Sequence, residues 1–592
     1  MKYEERRKAS RLPPPIKEGK NMSTINKGKT AFDSFGYGFI NGKECYGKFV
    51  YDKESESVNL VKYGRYIAIE KVCKDLDGGA PVLTIAYDTL DDERLTVDVE
   101  KTLLGKKRDL QTILLKNDAD VYDSSLSVLM SCLHKSEEQA CRGMCFHRTG
   151  WLIGQANTKD ETLCFKGNTL IESDSAPDVI KYVGQYDLAS KGSFSEWVKM
   201  IKKQVLGNIP LEIAVLIGLS PIISSEWGAR NLLFHFMGDS GAGKTTSAIL
   251  CVSTTGCPNP AETARLIASD GKPLRSLMSS WKSTANALTG KVDGLDGTIM
   301  VLDELSKAES SEMLASAIYV FSDGDDKDRM NGEGGLQRTN VIRTNILSVG
   351  EESLIEKARN KNSGVNVRVC EISTQFTKSA EQAEAIVEVC YANYGHAATR
   401  FARYIVENLR YQDVADLRKE NLVEYAAALV AAGSKSETPR RLAEFGAILL
   451  TVLDIAEPAL GVKFNRDGII QFLVDQQVQH DANTDIGARA HASLQGFVNA
   501  NIANFITDGD NVWSKSIPCY GRVETKNGVL EVSIETSEFD TIIRKLGYSN
   551  PNLIVKKLKA KGLMSYEAGK NYRKRTLIKD VGEVHTYVIL FP

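Results

Sequence analysis

The chain has 592 residues, enough for three or four domains that each bury a core, and 74 Lys and Arg against 76 Asp and Glu leave a net charge of −2. That balance excludes a global basic field, so any nucleic-acid surface is local. No apolar run has the length of a bilayer span, the N-terminus lacks a signal-peptide pattern, and 11 scattered cysteines make no disulfide scaffold, so a cytoplasmic protein without a membrane partner is expected.

Residues 1–31 hold Arg6, Arg7, Lys8 and Arg11 around Pro13 to Pro15, with little to bury, and read as a disordered basic tail. From 32 to 190, apolar runs at Tyr66 to Ile69 and Val82 to Tyr87 and the alternation of Leu95, Val97 and Val99 predict an α+β N-terminal domain. Cys132, His134, Cys141, Cys145 and His147 could supply four zinc ligands there. Their spacing matches no common finger, however, and Cys141 to Cys145 fits one helical face equally well.

Residues 191–375 carry the chemistry. The stretch around Ile213 to Ile223 reads as a core helix, too short to span a membrane. Leu232 to Met237 reads as a buried strand opening into Gly238-Asp239-Ser240-Gly241-Ala242-Gly243-Lys244-Thr245-Thr246, which fits the phosphate-loop pattern G-x-x-x-x-G-K-[ST]. Its glycines let successive N–H groups face phosphate oxygens, Lys244 adds a cation, and Thr245 offers a hydroxyl to Mg²⁺. The helix that starts there turns its positive end to the same point. Downstream, Thr298 to Leu302 predicts a strand ending in Asp303, suited to the Mg²⁺ shell, and Glu304, suited to activating water. A water-activating acid beside the metal-binding one favours hydrolysis of ATP over transfer to a bound acceptor. Apolar runs at Asn345 to Val349 and Val367 to Ile372 complete a doubly wound α/β core with its ligand at the strand ends.

From 376 to 506 the text turns Ala- and Leu-rich with helical periodicity, as in Ala426, Leu429 and Val430 and then Leu442, Phe445, Leu449 and Leu450, which predicts a helical lid. Thr507 to Ser514 reads as a linker. Residues 515–592 begin a helix at Asn550-Pro551, carry Lys556, Lys557, Lys559 and Lys561 along it, and place Arg573, Lys574 and Arg575 between two strand-like pieces. That is the layout of a C-terminal winged helix whose cations could reach DNA phosphates; a charged face on a protein-binding winged helix is the alternative.

Several of these segments occur in an order that carries a family resemblance: His147-Arg148-Thr149-Gly150-Trp151, the phosphate loop, Trp281-Lys282-Ser283-Thr284-Ala285-Asn286-Ala287-Leu288, Leu302-Asp303-Glu304-Leu305, Ile318-Tyr319 and Ile346-Leu347-Ser348-Val349-Gly350-Glu351. Together they resemble domain-of-unknown-function family nine-two-seven, whose members include MCM-like AAA+ replicative helicases of phages, plasmids and staphylococcal cassette elements. The resemblance implies an α/β P-loop AAA+ ATPase core in a ring, hexameric, with each nucleotide between subunits. It also implies an arginine finger at Arg368, and a second-sensor arginine at Arg440, with Arg441 as the other candidate. A pore hairpin would span Asp323 to Arg338, in which Lys327 and Arg329 contact DNA; a mobile surface loop is the alternative there. In this family class the first sensor is an Asn at the end of the fourth strand. Here Asn345 begins that strand, so either it is misplaced for the task or Ser348 and Glu351 share it.

The function expected is therefore an ATP-dependent helicase acting on single-stranded or forked DNA in replication of a mobile genetic element, with loader or single-strand-binding partners. The rival is a nucleotide-switched regulatory or defence ATPase that assembles on a protein. A polypeptide-threading remodeller is disfavoured by the lack of an aromatic residue between Asp323 and Arg338.

Overall fold

The computed structural model describes residues 34–153, 163–172, 180–268, 271–324, 341–358, 363–434, 439–484, 486–507, 518–548, 550–566, 574–578 and 582–592. The expected basic tail, residues 508–514 of the expected linker, and Lys327, Arg329 and Arg573 lie outside these residues, while Thr507 of that linker is described. The described residues divide into two compact units. The smaller comprises residues up to Val72, Leu83–Val97 and Thr102–Cys141.

In the smaller unit, β1 (Ser34–Ile40), β2 (Lys43–Asp52) and β3 (Ser57–Arg65) form an antiparallel meander. Asn41 and Gly42, both at positive φ, make the two-residue turn that matches strand twist between β1 and β2. Next come β4 (Ile67–Asp75), β5 (Val82–Asp88) and β6 (Arg94–Glu100), then α1 (Lys107–Lys116) and α2 (Leu126–Gln139). The apolar face of α2 brings Cys132 against the meander, where its thiol meets the carbonyls of Gly36 and Gly47 at 3.6 and 3.5 Å.

The larger unit is built on α3 (Ile209–Trp227), apolar on every face and therefore a helix of the interior. At 19 residues it is long enough to cross a membrane, which corrects the sequence reading of its length; its burial within the fold accounts for its composition. Around it lies a parallel sheet of β10 (Leu233–Met237), β11 (Met278–Ser280), β12 (Ile299–Asp303), β13 (Asn345–Gly350) and β14 (Val369–Ser373), in the order β11-β12-β13-β10-β14. Three short antiparallel strands precede it: β7 (Gly150–Ile153), β8 (Leu163–Lys166) and β9 (Leu170–Ile171). Trp151 donates from its indole to the Ile222 carbonyl at 2.7 Å and meets Trp227 edge-on, while Phe165, Ile171 and Leu188 join the core of α3. Trp151, Phe165, Ile171 and Leu188 thus pack in the core of the larger unit, although the sequence reading gave them to the N-terminal domain. Strand-like text records burial, not the partner that covers it.

Connecting helices are α4 (Lys244–Ser253) and α5 (Ser311–Asp323), followed beyond the sheet by α6 (Ala380–Ala392), α7 (Ala397–Asn408), α8 (Tyr411–Ala431), α9 (Pro439–Leu460) and α10 (Arg466–Thr484). Helix α9 lays Phe445 edge-on against Phe234 of β10, and its buried Glu444 binds Arg418 of α8 and the Ala229 amide.

The following helix, α11 (Ile486–Ala500), belongs elsewhere. Its Leu494, Phe497 and Val498 share a core with β15 (Phe505–Thr507), β16 (Gly521–Lys526), β17 (Val529–Glu535), α12 (Thr536–Lys545), α13 (Pro551–Ala560), β18 (Met564–Ser565) and β20 (Gly582–Phe591), on which β19 (Lys574–Ile578) pairs. The C-terminal domain therefore starts some 30 residues before the expected boundary at 515. A fragment of residues 486–592 is expected to melt cooperatively in calorimetry, whereas 515–592, stripped of the buried Ala490, Leu494, Phe497, Val498 and Phe505, should show no cooperative transition.

Candidate nucleotide site

Strand β10 ends at Met237 and the chain turns at once into the glycine loop. Gly243 sits at φ +82, where a side chain is strained, and a Cβ there would collide with Thr377; only glycine satisfies both. Phe376 donates its amide to the Ala242 carbonyl at 2.8 Å, bracing the loop from the segment after β14. Lys244, first residue of α4, folds its ammonium back onto the carbonyls of Gly238 and Asp239 at 2.8 and 2.7 Å.

Because β12 and β13 are parallel neighbours, and β13 pairs β10 in turn, Asp303 and Glu304 arrive at the same sheet edge as the loop. Asp303 accepts the Glu304 amide at 2.7 Å and the Thr245 hydroxyl. Burial, with the nearby charge of Glu304, pushes its carboxyl above the usual range. Glu304 is held at φ +58, a strained setting for a glutamate, and its carboxylate pairs with Lys307. These groups line one open cleft of 990 Å³, together with Gly350, Glu351, Glu352, Gln375, Thr377 and Glu384.

Asn345 is not in the cleft. Fully buried at the start of β13, it accepts from the Leu232 amide and the Ser224 hydroxyl and donates to Ser220, so its amide ties α3 to the sheet. Ser348 is also interior: its hydroxyl meets the Trp281 indole N–H at 3.0 Å and His235 Nδ1 at 2.9 Å. Of the three first-sensor candidates only Glu351 lines the cleft. His235, which the sequence reading passed over, is fully buried and touches the Glu352 carbonyl through Nε2 at 2.9 Å; burial pushes its pKa down to about 4, so the ring is neutral.

Arg368 lies at the opposite end of the sheet. It precedes Val369, which pairs with Leu233 in parallel register, so it stands six strand positions, about 20 Å, from Gly238. Its guanidinium grips both oxygens of Asp323 at 3.0 and 3.1 Å, donates to the Gly364 carbonyl at 2.8 Å and lies over the Tyr319 ring. Arg440 falls in the first turn of α9; its side chain and that of Arg441 lie outside the described residues. Glu444, one turn on, reaches Ala229 before β10, so α9 starts near the same far end of the sheet.

In the C-terminal domain Lys556 is exposed and Lys557 half-buried on α13, and Lys559 covers the Tyr566 ring. Lys574 and Arg575 begin β19 opposite Thr586 and His585, their side chains again outside the described residues. Cys145 points its thiol at the Cys73 carbonyl, and His147 lies 3.2 Å from Asp75. Among the described residues no group of three or more His, Cys, Asp or Glu could hold a metal ion.

Comparison with known proteins completes the site. A family model described as "Cch helix turn helix domain" matches residues 485–592, which identifies the C-terminal unit as a helix-turn-helix domain. No curated protein matches the chain. A solved structure described as "SCCmec type IV Cch - active helicase" is 22% identical, with a TM-score of 0.68 over 92% of this chain and 96% of that one, so the two share a mixed α/β fold. The model described as "Domain of unknown function (DUF927)" matches residues 41–341, half of the chain, and the chain therefore belongs to the DUF927 family.

Proposed function

We propose that the chain is an ATP-driven DNA helicase of the AAA+ class, working as a hexameric ring in replication of a mobile genetic element. The observation that carries this reading is the division of hydrolytic groups between two ends of one sheet. The glycine loop, Asp303 and Glu304 share a cleft at the carboxyl end, while Arg368 stands at the amino end. Among the described residues that line the cleft Lys244 is the cation and no arginine is present, and a neighbouring copy supplies one. The strand order β11-β12-β13-β10-β14, with the loop on β10 and the acid pair on β12, supports the AAA+ assignment, and likeness to a structure described as an active helicase supports the motor reading.

The cleft fits a magnesium nucleotide. Gly241 and Gly243, both at positive φ, let the loop turn, and the Thr245 hydroxyl and Asp303 carboxylate are the hard oxygen donors that Mg²⁺ takes. Bound there, Mg²⁺ would neutralise charge on the transferred phosphoryl group. Lys244 exchanges its two loop carbonyls for phosphate oxygens, and Glu304 leaves Lys307 to accept a proton from the attacking water. Arg368 stabilises the negative charge that develops in the neighbour's site, and Arg440 acts as a second sensor, also across the interface. In this division residues 191–375 are the motor core, 376–484 the lid and 486–592 the winged helix, whose Lys556, Lys557, Arg573, Lys574 and Arg575 contact duplex phosphates. Lys327 and Arg329 contact the translocating strand.

Lys244→Ala should lose nucleotide binding and hydrolysis together, whereas Glu304→Gln should bind ATP normally and hydrolyse it about a thousandfold more slowly; wild-type turnover by Glu304→Gln would remove the water-activating role. Mixing Arg368→Ala with Lys244→Ala should restore part of the ATPase rate, since mixed interfaces pair an intact loop with an intact finger, and an inert mixture at every ratio would refute action in trans. ATPase measured on size-resolved rings should rise several-fold with single-stranded DNA. Deleting residues 486–592 should flatten the dependence of duplex binding on log salt by about 0.9 per lost phosphate contact, and an unchanged slope would assign the domain to protein contact.

A further inference from the structure

Three hydrogen bonds run in series through the middle of the sheet, and their directions are fixed. The Glu352 carbonyl can only accept, so His235 Nε2 carries the hydrogen. The ring is neutral, so Nδ1 accepts, and the Ser348 hydroxyl donates to it. The Ser348 oxygen in turn receives the Trp281 indole N–H. Trp281 also donates its backbone amide to the carbonyl of Asp303, at 3.1 Å. The chain therefore begins at the acid pair of β12, crosses β13 and β10, and ends on the turn after β13, whose Gly350, Glu351 and Glu352 line the nucleotide cleft.

A second observation bears on the same turn. A Cβ on Gly350 would lie 2.7 Å from the Leu305 Cβ and 3.3 Å from the His235 ring, so this glycine is pressed between the imidazole and the residue next to Glu304. The place of the imidazole thus sets the gap between the Gly350–Glu352 turn and the Glu304–Leu305 backbone. Trp281, His235 and Ser348 are each fully buried, far from any solvent exchange that would let the chain slip.

We propose that His235 is a positioning residue for ATP hydrolysis: through Trp281 and Ser348 on one side and the Glu352 carbonyl on the other, it holds Glu351 opposite Glu304, so that Glu351 takes the first-sensor place that no asparagine among the described residues lining the cleft fills. This rests on the hydrolase reading above. His235 touches neither nucleotide nor water; it acts through the turn. Ser348 is withdrawn from solvent, and its part is to fix the tautomer.

The test is steady-state ATPase and binding of a nonhydrolysable ATP analogue by the full-length protein. His235→Leu, which keeps the volume and loses both hydrogen bonds, should lower kcat by about a hundredfold with KM and analogue binding unchanged. His235→Gln, whose amide can still donate to Glu352, should recover most of that loss. Wild-type kcat in His235→Leu, or loss of analogue binding in step with kcat, would overturn the positioning role, since a merely structural residue moves both together. Should His235→Leu fail to fold, Ser348→Ala and Trp281→Phe break the chain at its other links and should show the same kcat-only defect; full turnover in both overturns the proposal. An inert wild-type protein overturns the hydrolase reading itself, and the positioning role with it.

Discussion

A parallel sheet sends all its carboxyl ends to one edge, and the layout of the larger unit follows from that constraint. Strands β10, β12 and β13 each bury apolar side chains on both faces, and each leaves the sheet at the same edge, which brings together the glycine loop, Asp303, Glu304 and the Gly350 turn from distant parts of the sequence. The same constraint separates what comes before a strand from what comes after one. Arg368 and the start of α9 meet the sheet at its amino edge, and no rotamer spans the about 20 Å between them and the loop. On the function proposed above, a division of this kind would complete the site only between copies.

The sheet also holds more polarity than its hydrophobic run suggests. His235, Ser348, Asn345 and Thr344 are all buried, and an unpaired polar group in such a place costs about 1–3 kcal/mol. Each has partners. Asn345 uses both halves of its amide at the amino edge, while His235 and Ser348 share theirs near the carboxyl edge. Polar groups satisfied in this manner fix one strand register against its alternatives, because a slip by one residue would leave all of them unpaired.

The glycine loop and the acid pair were legible in the sequence because their chemistry demands particular residues at local spacing, and the C-terminal helix-turn-helix showed itself through Asn550-Pro551 and its lysines. Domain limits were not. Phe165 and Leu188 look like sheet residues of whichever domain lies nearer in sequence, and α11 looks like one more lid helix, since apolar periodicity reports that a face is covered and not by what. Three links of the His235 chain lie on three strands or their ends, as do Arg368 and Asp323 across the helix α5 boundary, and pairs so far apart in sequence leave no periodic signal. Trp281 stood inside a quoted motif, but nothing in that motif says that its indole faces Ser348.

The groups that would carry hydrolysis rest in contacts of unequal strength, and that inequality orders their release. Glu304 and Lys307 are each about half exposed, and a pair of this kind is worth about 0–1 kcal/mol. Lys244 gives up two neutral carbonyls for charged phosphate oxygens, an exchange that favours the nucleotide. Arg368 is different: its side chain is only 13% exposed, its fork is matched by both Asp323 oxygens, and Tyr319 covers its face. Only a ligand of higher charge density, presented in the same bidentate geometry, can compete for that guanidinium, and a phosphoryl group is one. On the function proposed above, local groups would yield on nucleotide binding, whereas the arginine would yield last, when a neighbour's terminal phosphate comes within reach. On that reading it is closure of an interface between copies, and not filling of the cleft, that would commit the site to hydrolysis.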